Sequence, residues 1–193
     1  ASNYSINSLT AEITGRPVTI SGSRLYDSTT TASNSILTIT SGVSGETLSL
    51  TGSGVLGAAS AGTQTVTNNN TLAIANGSGL ASNYTLSGAT INVTIIPRTL
   101  NVTLSREYDG TTTVSGGSLT PTFDSLQGGE TLALSGTGSV STANVGSSKA
   151  VSLGSIALAA GSGNPSNYTL NSATMDITQR VINLDGIRAV SYT

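Results

Sequence analysis

Arg106-Glu107-Tyr108-Asp109-Gly110-Thr111-Thr112-Thr113 is the stretch that decides the fold, because it occurs twice. The earlier copy reads Arg24-Leu25-Tyr26-Asp27-Ser28-Thr29-Thr30-Thr31. A tyrosine, an acidic turn residue and a run of threonines that recur at a long fixed period are typical of a repeated structural unit. The sequence therefore predicts tandem repeats before it predicts an active site.

A second motif, Asn-Tyr followed by Ser or Thr, recurs near the end of each repeat. It occurs as Asn83-Tyr84-Thr85 and Asn167-Tyr168-Thr169, and an early copy lies at Asn3-Tyr4-Ser5. Each copy precedes a run that alternates like a strand, and these runs are residues 11–13, 91–95 and 175–177. The end of one repeat is therefore predicted to be a β-strand.

Three equally spaced arginines, Arg16, Arg98 and Arg180, mark the junctions between repeats. We therefore interpret the chain as part of a longer array, in four segments. They are residues 1–14, the C-terminal strand of a preceding repeat; residues 15–97 and 98–179, two complete repeats; and residues 180–193, the first strand of a following repeat.

Apolar and polar residues alternate throughout both repeats, as in Leu48-Ser49-Leu50 and Leu132-Ala133-Leu134. Alternation places one face of a strand on the core and the other in water. Short strands separated by Gly- and Ser-rich turns are typical of a sandwich. We therefore predict an all-β chain of tandem Ig-like antiparallel β-sandwich repeats. Short junctions that carry Pro17 and Pro97 limit bending, so we expect an elongated rod.

A β-solenoid is the alternative fold, because sequences of low charge that are rich in Gly, Ser, Thr and Asn also form such coils. One solenoid coil needs about 20–30 residues and gives a sequence repeat of that length. The motifs of this chain recur from Tyr26 to Tyr108 and from Tyr84 to Tyr168, which is a much longer interval, and we find no convincing shorter one. The period therefore favours the sandwich.

The composition excludes several classes of function. The chain has no cysteine and no histidine, which removes disulfides, thiol chemistry and the commonest general base and metal ligand. Its net charge is −2 and its seven Lys and Arg residues are dispersed, so we expect no nucleic-acid partner. No apolar run approaches the ~20 residues of a membrane span. We predict no enzymatic activity, no cofactor, no metal site and no membrane span in this segment.

Four motifs follow one another in the second repeat. They are Arg106-x-Tyr108-Asp109-Gly110-Thr111, Gly129-Glu130-x-Leu132, Asn144-Val145-Gly146-x-x-Lys149-x-Val151 and Ser166-Asn167-Tyr168-Thr169-Leu170. In this order they resemble the YDG domain, a family that is similar to the MBG repeats. The resemblance covers essentially the whole chain. It implies tandem repeats of bacterial surface proteins resembling filamentous haemagglutinin, many of which are exported by two-partner secretion.

The first repeat departs from this pattern at two positions. Ser28 stands where the second repeat has Gly110, and Gln64 stands where it has Lys149. These differences leave the predicted fold unchanged. They argue against any chemistry that needs Gly110 or Lys149 in every repeat.

The Tyr-Asp motifs are the first candidate sites, at Tyr26, Asp27, Tyr108, Asp109 and Gly110. The Asp side chain can accept hydrogen bonds from backbone N–H groups just after it, and the glycine tolerates a positive φ. The tyrosine ring adds apolar area to a core that is poor in aromatic residues. We therefore interpret the motif as a structural turn, with ligand recognition by Tyr108 and Asp109 as the alternative.

The Asn-Tyr motifs are the second candidate, at Asn83, Tyr84, Asn167 and Tyr168. We predict that each asparagine enters a turn and each tyrosine begins a strand. Ligand contact is one alternative. Modification is another, since the Asn-Tyr-Thr triplets also fit the N-glycosylation pattern.

Two further hypotheses concern charged side chains. Lys149 is the only lysine, and in many adhesin stalk domains a lysine forms an isopeptide crosslink to asparagine; Gln64 at the matching position argues against it. Calcium binding by acids at loop tips is the other hypothesis, although no Asp-x-Asp-x-Asp run exists. The acidic residues are Glu12, Asp27, Glu46, Glu107, Asp109, Asp124, Glu130, Asp176 and Asp185.

The expected function is mechanical. We expect extracellular stalk repeats of a bacterial adhesin, which space a binding region from the cell and support adhesion or biofilm formation, with neighbouring repeats as partners. The alternative is that the repeats themselves bind host glycan, mucin or biofilm polysaccharide. Six tyrosines, one phenylalanine and no tryptophan offer few stacking platforms for sugars, which argues against it. Association of rods through exposed strand edges is a third hypothesis.

Overall fold

The computed structural model describes residues 10–183 and divides the chain into two compact units between Ile96 and Pro97. The motifs at residues 3–5 and 188–193, and the acid Asp185, lie outside the described residues. Strands of the first unit are β1 (Arg16–Pro17), β2 (Thr19–Leu25), β3 (Thr31–Ser33), β4 (Leu37–Thr40), β5 (Leu48–Thr51), β6 (Ser53–Leu56), β7 (Gly62–Asn68), β8 (Ala73–Asn76), β9 (Tyr84–Thr85) and β10 (Ile91–Ile96). Strands of the second unit are β11 (Arg98–Glu107), β12 (Thr113–Ser115), β13 (Thr122–Phe123), β14 (Leu132–Ser135), β15 (Thr137–Val140), β16 (Gly146–Ser152), β17 (Ala157–Ala160) and β18 (Tyr168–Thr178).

Each unit is built on a six-stranded sheet with the same strand order. That order is β3-β6-β7-β10-β2-β4 in the first unit and β12-β15-β16-β18-β11-β13 in the second. Each unit also has a two-stranded sheet, β5 with β8 in the first and β14 with β17 in the second, and the first unit has a further short one, β1 with β9. Four 3₁₀ turns, at Asn34–Ile36, Ala81–Asn83, Gly116–Ser118 and Pro165–Asn167, are the helical elements among the described residues. The prediction of an all-β fold is confirmed.

The six-stranded sheet of each unit faces the β5–β8 or β14–β17 sheet across an apolar core, as a sandwich-like fold requires. In the second unit, Leu134 of the two-stranded sheet belongs to the same buried cluster as Leu104 and Met175 of the six-stranded sheet. The alternation in the sequence produces this core directly, because Leu100, Val102 and Leu104 of β11 are buried while the residues between them are exposed. One buried cluster of the first unit comprises Val18, Ile20, Leu50, Leu72, Tyr84 and Ile91.

One feature of the sheet differs from the expected antiparallel pattern. The first and last long strands of each unit pair in parallel: β2 with β10 in the first unit and β11 with β18 in the second. The remaining pairs of the six-stranded sheets are antiparallel. Alternation has a period of two in both arrangements, so it predicts which face is buried and not which way a partner runs. We call the paired first and last long strands of a unit its terminal pair.

The predicted strand at Ala11-Glu12-Ile13 is wrong, since the described residues 10–15 form no strand. The side chain of Ile13 is almost fully exposed. A strand needs a neighbour to satisfy its backbone groups and an apolar surface to cover one face. Within the described residues Ile13 has no such surface, so alternation alone does not make this segment a strand.

Candidate functional site

The Tyr-Asp loop, residues 26–31 and 108–113, follows the first long strand of each unit. Asp109 Oδ1 accepts hydrogen bonds from the Thr111 backbone N at 2.9 Å and from Thr111 Oγ1 at 3.0 Å. Asp27 makes the same two contacts with Thr29, both at 2.9 Å. These bonds, led by the Thr111 N–H, lower the pKa of Asp109 below its usual value, and the charge of Arg106 adds to the effect. The loop is therefore closed by its own aspartate.

A buried arginine from the preceding strand fastens the loop from beneath. The guanidinium of Arg106 donates to the carbonyl oxygens of Thr111 and Thr113 and lies 3.2 Å from Asp109 Oδ2. Arg24 donates to the Thr29 carbonyl and pairs with Asp27. Only 8% of the Arg24 side chain and 11% of the Arg106 side chain are exposed. Burial lowers the pKa of Arg24, but a guanidinium is so strong a base that it stays charged in proteins.

The residue after the aspartate has a left-handed backbone in both units. Gly110 has φ +79° and Ser28 has φ +63°. A serine in this conformation is strained, but its hydroxyl donates to the Asp27 carbonyl at 2.6 Å. The position therefore requires a turn conformation, and glycine or a residue with a compensating hydroxyl meets that requirement.

Replacing Gly110 by alanine is expected to lower the free energy of unfolding of the second unit by about 1 kcal/mol, because only the left-handed strain is added. No neighbouring atom blocks the new methyl group, since the nearest, the Tyr108 hydroxyl oxygen, would lie 4.0 Å away. Gly110→Ser should cost less, because its hydroxyl can make the bond that Ser28 makes. Urea unfolding of both variants measures the difference; equal losses would contradict the compensating role of the hydroxyl.

The two loop tyrosines differ in burial, which corrects one expectation. Tyr26 is 3% exposed and adds its ring to the core, whereas Tyr108 is 41% exposed. The Tyr108 ring lines an open groove with Val145 and Ile182. The backbone role is nevertheless shared: the N–H of Tyr26 donates to Ile96 O, and that of Tyr108 donates to Thr178 O, both at 2.9 Å.

The Asn-Tyr motifs lie where a 3₁₀ turn passes into the last part of each unit. Asn83 and Asn167 close the turns, and Tyr84 and Tyr168 begin β9 and β18. Asn83 is exposed, but Asn167 is only 4% exposed, so a glycan on Asn167 would have to displace packed atoms. Both tyrosine rings are buried in their units.

Each of these buried tyrosines binds a glutamate from an earlier motif of its own unit. The Tyr168 hydroxyl donates to Glu130 Oε2 at 2.6 Å and accepts from the Gln127 backbone N at 3.0 Å. The Tyr84 hydroxyl likewise donates to Glu46 Oε2. The bond to Glu46 is the main cause that raises the pKa of Tyr84, while burial is the main cause for Tyr168, followed by the bond to Glu130.

The glutamates come from the Gly-Glu-Thr motif, and the threonine of that motif is also paired. Ser162 Oγ accepts from the Thr131 backbone N, and Ser78 Oγ accepts from the Thr47 backbone N, both at 2.9 Å. In the sequence, the Gly-Glu motif, the Asn-Tyr motif and the Gly- and Ser-rich turns were each interpreted alone. The number of residues between the paired motifs is identical in the two units. This constant spacing is the sequence signal from which the contact between the motifs could have been predicted.

Lys149 makes contacts that explain its place without a crosslink. Its Nζ donates to Thr142 Oγ1 at 2.8 Å and to the Asn144 backbone carbonyl at 2.7 Å. Gln64, at the matching position of the first unit, likewise reaches back to a backbone carbonyl, that of Ser60, at 3.0 Å. Both side chains tie down the loop before their strand, and the described contacts of Lys149 include no asparagine side chain.

Metal-binding clusters and membrane-spanning helices are both absent from the described residues. Residues 10–183 contain no group of three or more Asp, Glu, His or Cys side chains placed to hold a metal ion. The same residues contain no helix of the length and hydropathy needed to cross a membrane. The polar side chains of the two motifs are instead directed at one another and at the backbone of their own unit.

Comparison with known proteins gives one result. The YDG domain matches residues 9–93 and, a second time, residues 94–175. No curated protein and no solved structure matches the chain. The Tyr-Asp and Asn-Tyr motifs, whose contacts are duplicated between the units, lie within these matched ranges.

Proposed function

The chain belongs to the YDG domain family, with two consecutive copies of the domain, and from this we propose that it forms extender repeats in the stalk of a bacterial adhesin. The repeats space a binding region from the cell and thereby support adhesion or biofilm formation. Their place is the cell surface or the secreted form of a filamentous-haemagglutinin-like protein, exported by two-partner secretion. Their partners are neighbouring repeats, and they need neither a cofactor nor catalysis.

The parallel terminal pair is the observation that carries this proposal. Arg98 at the start of β11 pairs with Tyr168 at the start of β18, and Glu107 at the end of β11 pairs with Thr178 at the end of β18. The chain therefore enters the unit at one end of the pair and leaves it at the other. At ~3.3 Å per residue, a ten-residue strand advances the chain by about 33 Å. A domain with this connectivity adds its length to an array.

The use of the polar side chains supports the same proposal. Arginine, aspartate, tyrosine and glutamate are the residues that would carry recognition or acid–base chemistry. In both units the aspartate of the Tyr-Asp loop closes that loop and the tyrosine of the Asn-Tyr motif binds a glutamate, so the same contacts are made twice. Duplicated internal contacts of this kind serve the stability of a repeated domain.

Length is the property to test. In a bacterium that displays the parent adhesin, we would delete residues 98–179 or replace them with an unrelated β-sandwich domain of the same end-to-end length. We expect the deletion to lower adhesion and the unrelated domain to restore it, at equal amounts of surface protein measured by antibody labelling. Adhesion that stays low with the unrelated domain would contradict a spacer role.

Glycan binding is a second candidate function, and the exposed ring of Tyr108 is the observation that favours it. An exposed aromatic ring beside Val145 and the cation of Arg180 offers one stacking surface for a sugar. A glycan array with the two-unit chain tests it, with Tyr108→Ala as the matched control. Saturable binding that is lost in the variant would establish this function. The absence of binding to any glycan on the array would contradict it.

A further inference from the structure

The terminal pair has a geometry that matters when the chain is pulled. In the second unit the paired residues run from Arg98 with Tyr168 to Glu107 with Thr178. The register shifts once, after Leu100. Both strands run in the same direction, so the point where the chain enters and the point where it leaves lie at opposite ends of the ladder. Tension along the chain therefore pulls one strand lengthwise past the other.

We propose that each terminal pair is a mechanical clamp that keeps its unit folded while the chain is under tension. Lengthwise sliding strains all the hydrogen bonds of the ladder together, so several must break in one event. Pulling the strands apart from one end would instead break the bonds one after another. The force needed for unfolding depends on the free-energy barrier to unfolding. That barrier is high when many hydrogen bonds must break at the same time.

The surroundings of the clamp protect its ladder. Neither strand is at an edge, since β13 flanks β11 and β16 flanks β18. Leu100, Val102 and Leu104 cover one face of β11, and Ala173, Met175 and Ile177 cover the same face of β18. These buried side chains limit the access of water to the ladder from the core side.

The Tyr-Asp loop closes the clamp at the end where the chain leaves. The Tyr108 N–H donates to Thr178 O at 2.9 Å, directly beyond the last registered pair. Arg106 lies before Tyr108 and Asp109 lies after it, and both fasten the loop. The residues on each side of Tyr108 therefore hold this terminal bond in place. The family motif thereby acquires a second role: it anchors the point at which the pulled strand departs.

The two units should differ in strength. In the first unit the ladder is interrupted: a short piece joins β1 to β9 and ends at Pro17 with Thr85, and a longer piece joins β2 to β10 and starts at Ile20 with Ile91. Proline also lacks the N–H that a ladder bond needs. We expect the first unit to unfold at a lower force than the second.

Single-molecule force spectroscopy on the full chain tests the clamp. The chain has no cysteine, so pairs of introduced cysteines define where force is applied. Thr99→Cys with Gln179→Cys pulls the second unit lengthwise, and Thr99→Cys with Ser166→Cys peels the same strands apart from their shared starting end. All three positions are exposed. We expect an unfolding force several times higher in the lengthwise pair, and equal forces would overturn the clamp.

A second peeling pair guards against a variant that fails to fold. Glu107→Cys with Gln179→Cys pulls from the other end of the ladder and should give the same low force. The biological use of the clamp rests on the proposed stalk function, but the force difference does not. If the adhesion test contradicts the spacer role but the unfolding forces differ, the clamp is still supported. If the forces are equal, the clamp is contradicted but the spacer role is not.

Discussion

Replacing Gly136 by alanine is expected to lower the free energy of unfolding of the second unit by about 3 kcal/mol or more, because strain and overlap coincide there. Gly136 lies between β14 and β15, where the chain passes from the two-stranded to the six-stranded sheet. Its φ is +77°, and a Cβ atom would lie 2.0 Å from the Ser155 carbonyl oxygen. That oxygen belongs to backbone, so it cannot swing aside as a long side chain would. A loss of this size is a large share of the ~5–15 kcal/mol that stabilises a typical domain.

Gly129→Ala is the matched control for this variant. Gly129 has φ +71°, but a Cβ atom there would meet nothing within 4 Å, so only the strain of about 1 kcal/mol remains. Hydrogen exchange read by mass spectrometry separates the two units, and the affected peptides should lie in the second unit only. Equal losses for the two variants would show that the close approach at Gly136 is relieved by a small backbone shift.

The first unit provides an independent repetition of the same pair. Gly52 has φ +75° and a Cβ atom there would lie 2.0 Å from the Thr71 carbonyl oxygen, whereas Gly45, with φ +80°, has open space. We therefore expect Gly52→Ala to be the severe variant and Gly45→Ala the mild one. Because Gly52 and Gly136 occupy the same place in the two units, the need for glycine there is a property of the fold. Glycine is needed because two backbone segments approach each other too closely for a Cβ atom.

The sequence predicted those features that depend on local chemistry. Alternation predicted the buried face of β10 and β11, because a strand that covers a core must place every second side chain inward. The Asp109 contacts with Thr111 follow from the ability of a short acidic side chain to bind backbone N–H groups two residues ahead. Long-period recurrence predicted the tandem units. Each of these features is encoded within a few residues or in direct repetition.

Features that depend on distant partners were beyond the sequence. The parallel direction of β11 and β18 is decided by how the intervening chain returns, and their alternation would be the same if they were antiparallel. The bond between Tyr168 and Glu130 joins two motifs that are far apart in the sequence and were each interpreted alone. The different burial of Tyr26 and Tyr108 depends on what lies above the ring, which the shared Tyr-Asp motif cannot specify.

Arg106 is the second position where a single change should have a large effect. Arg106→Ala removes the donors to the Thr111 and Thr113 carbonyl oxygens, and it removes a largely buried side chain from beneath the loop. Hydrogen bonds that involve a charged group contribute about 1.5–3 kcal/mol each, and part of that loss is recovered when water reaches the loop. We expect the free energy of unfolding of the second unit to fall by about 2–3 kcal/mol. Urea unfolding, with hydrogen exchange to assign the loss to the second unit, measures it.

Two further variants decide which contact of Arg106 matters. Asp109→Asn removes the negative charge but keeps the Oδ1 acceptor for the Thr111 N–H. If the ion pair between Asp109 and Arg106 contributes little, this variant should lower the free energy of unfolding only slightly. Arg106→Lys keeps the positive charge but lacks the planar fork that reaches two carbonyl oxygens at once, so it should resemble alanine more than arginine. A lysine variant with full stability would contradict this, because it would mean that charge alone fastens the loop. The recurrence of Arg24 and Arg106 just before the Tyr-Asp pair is explained by the fork, since a point charge would not fix the position of two carbonyl groups.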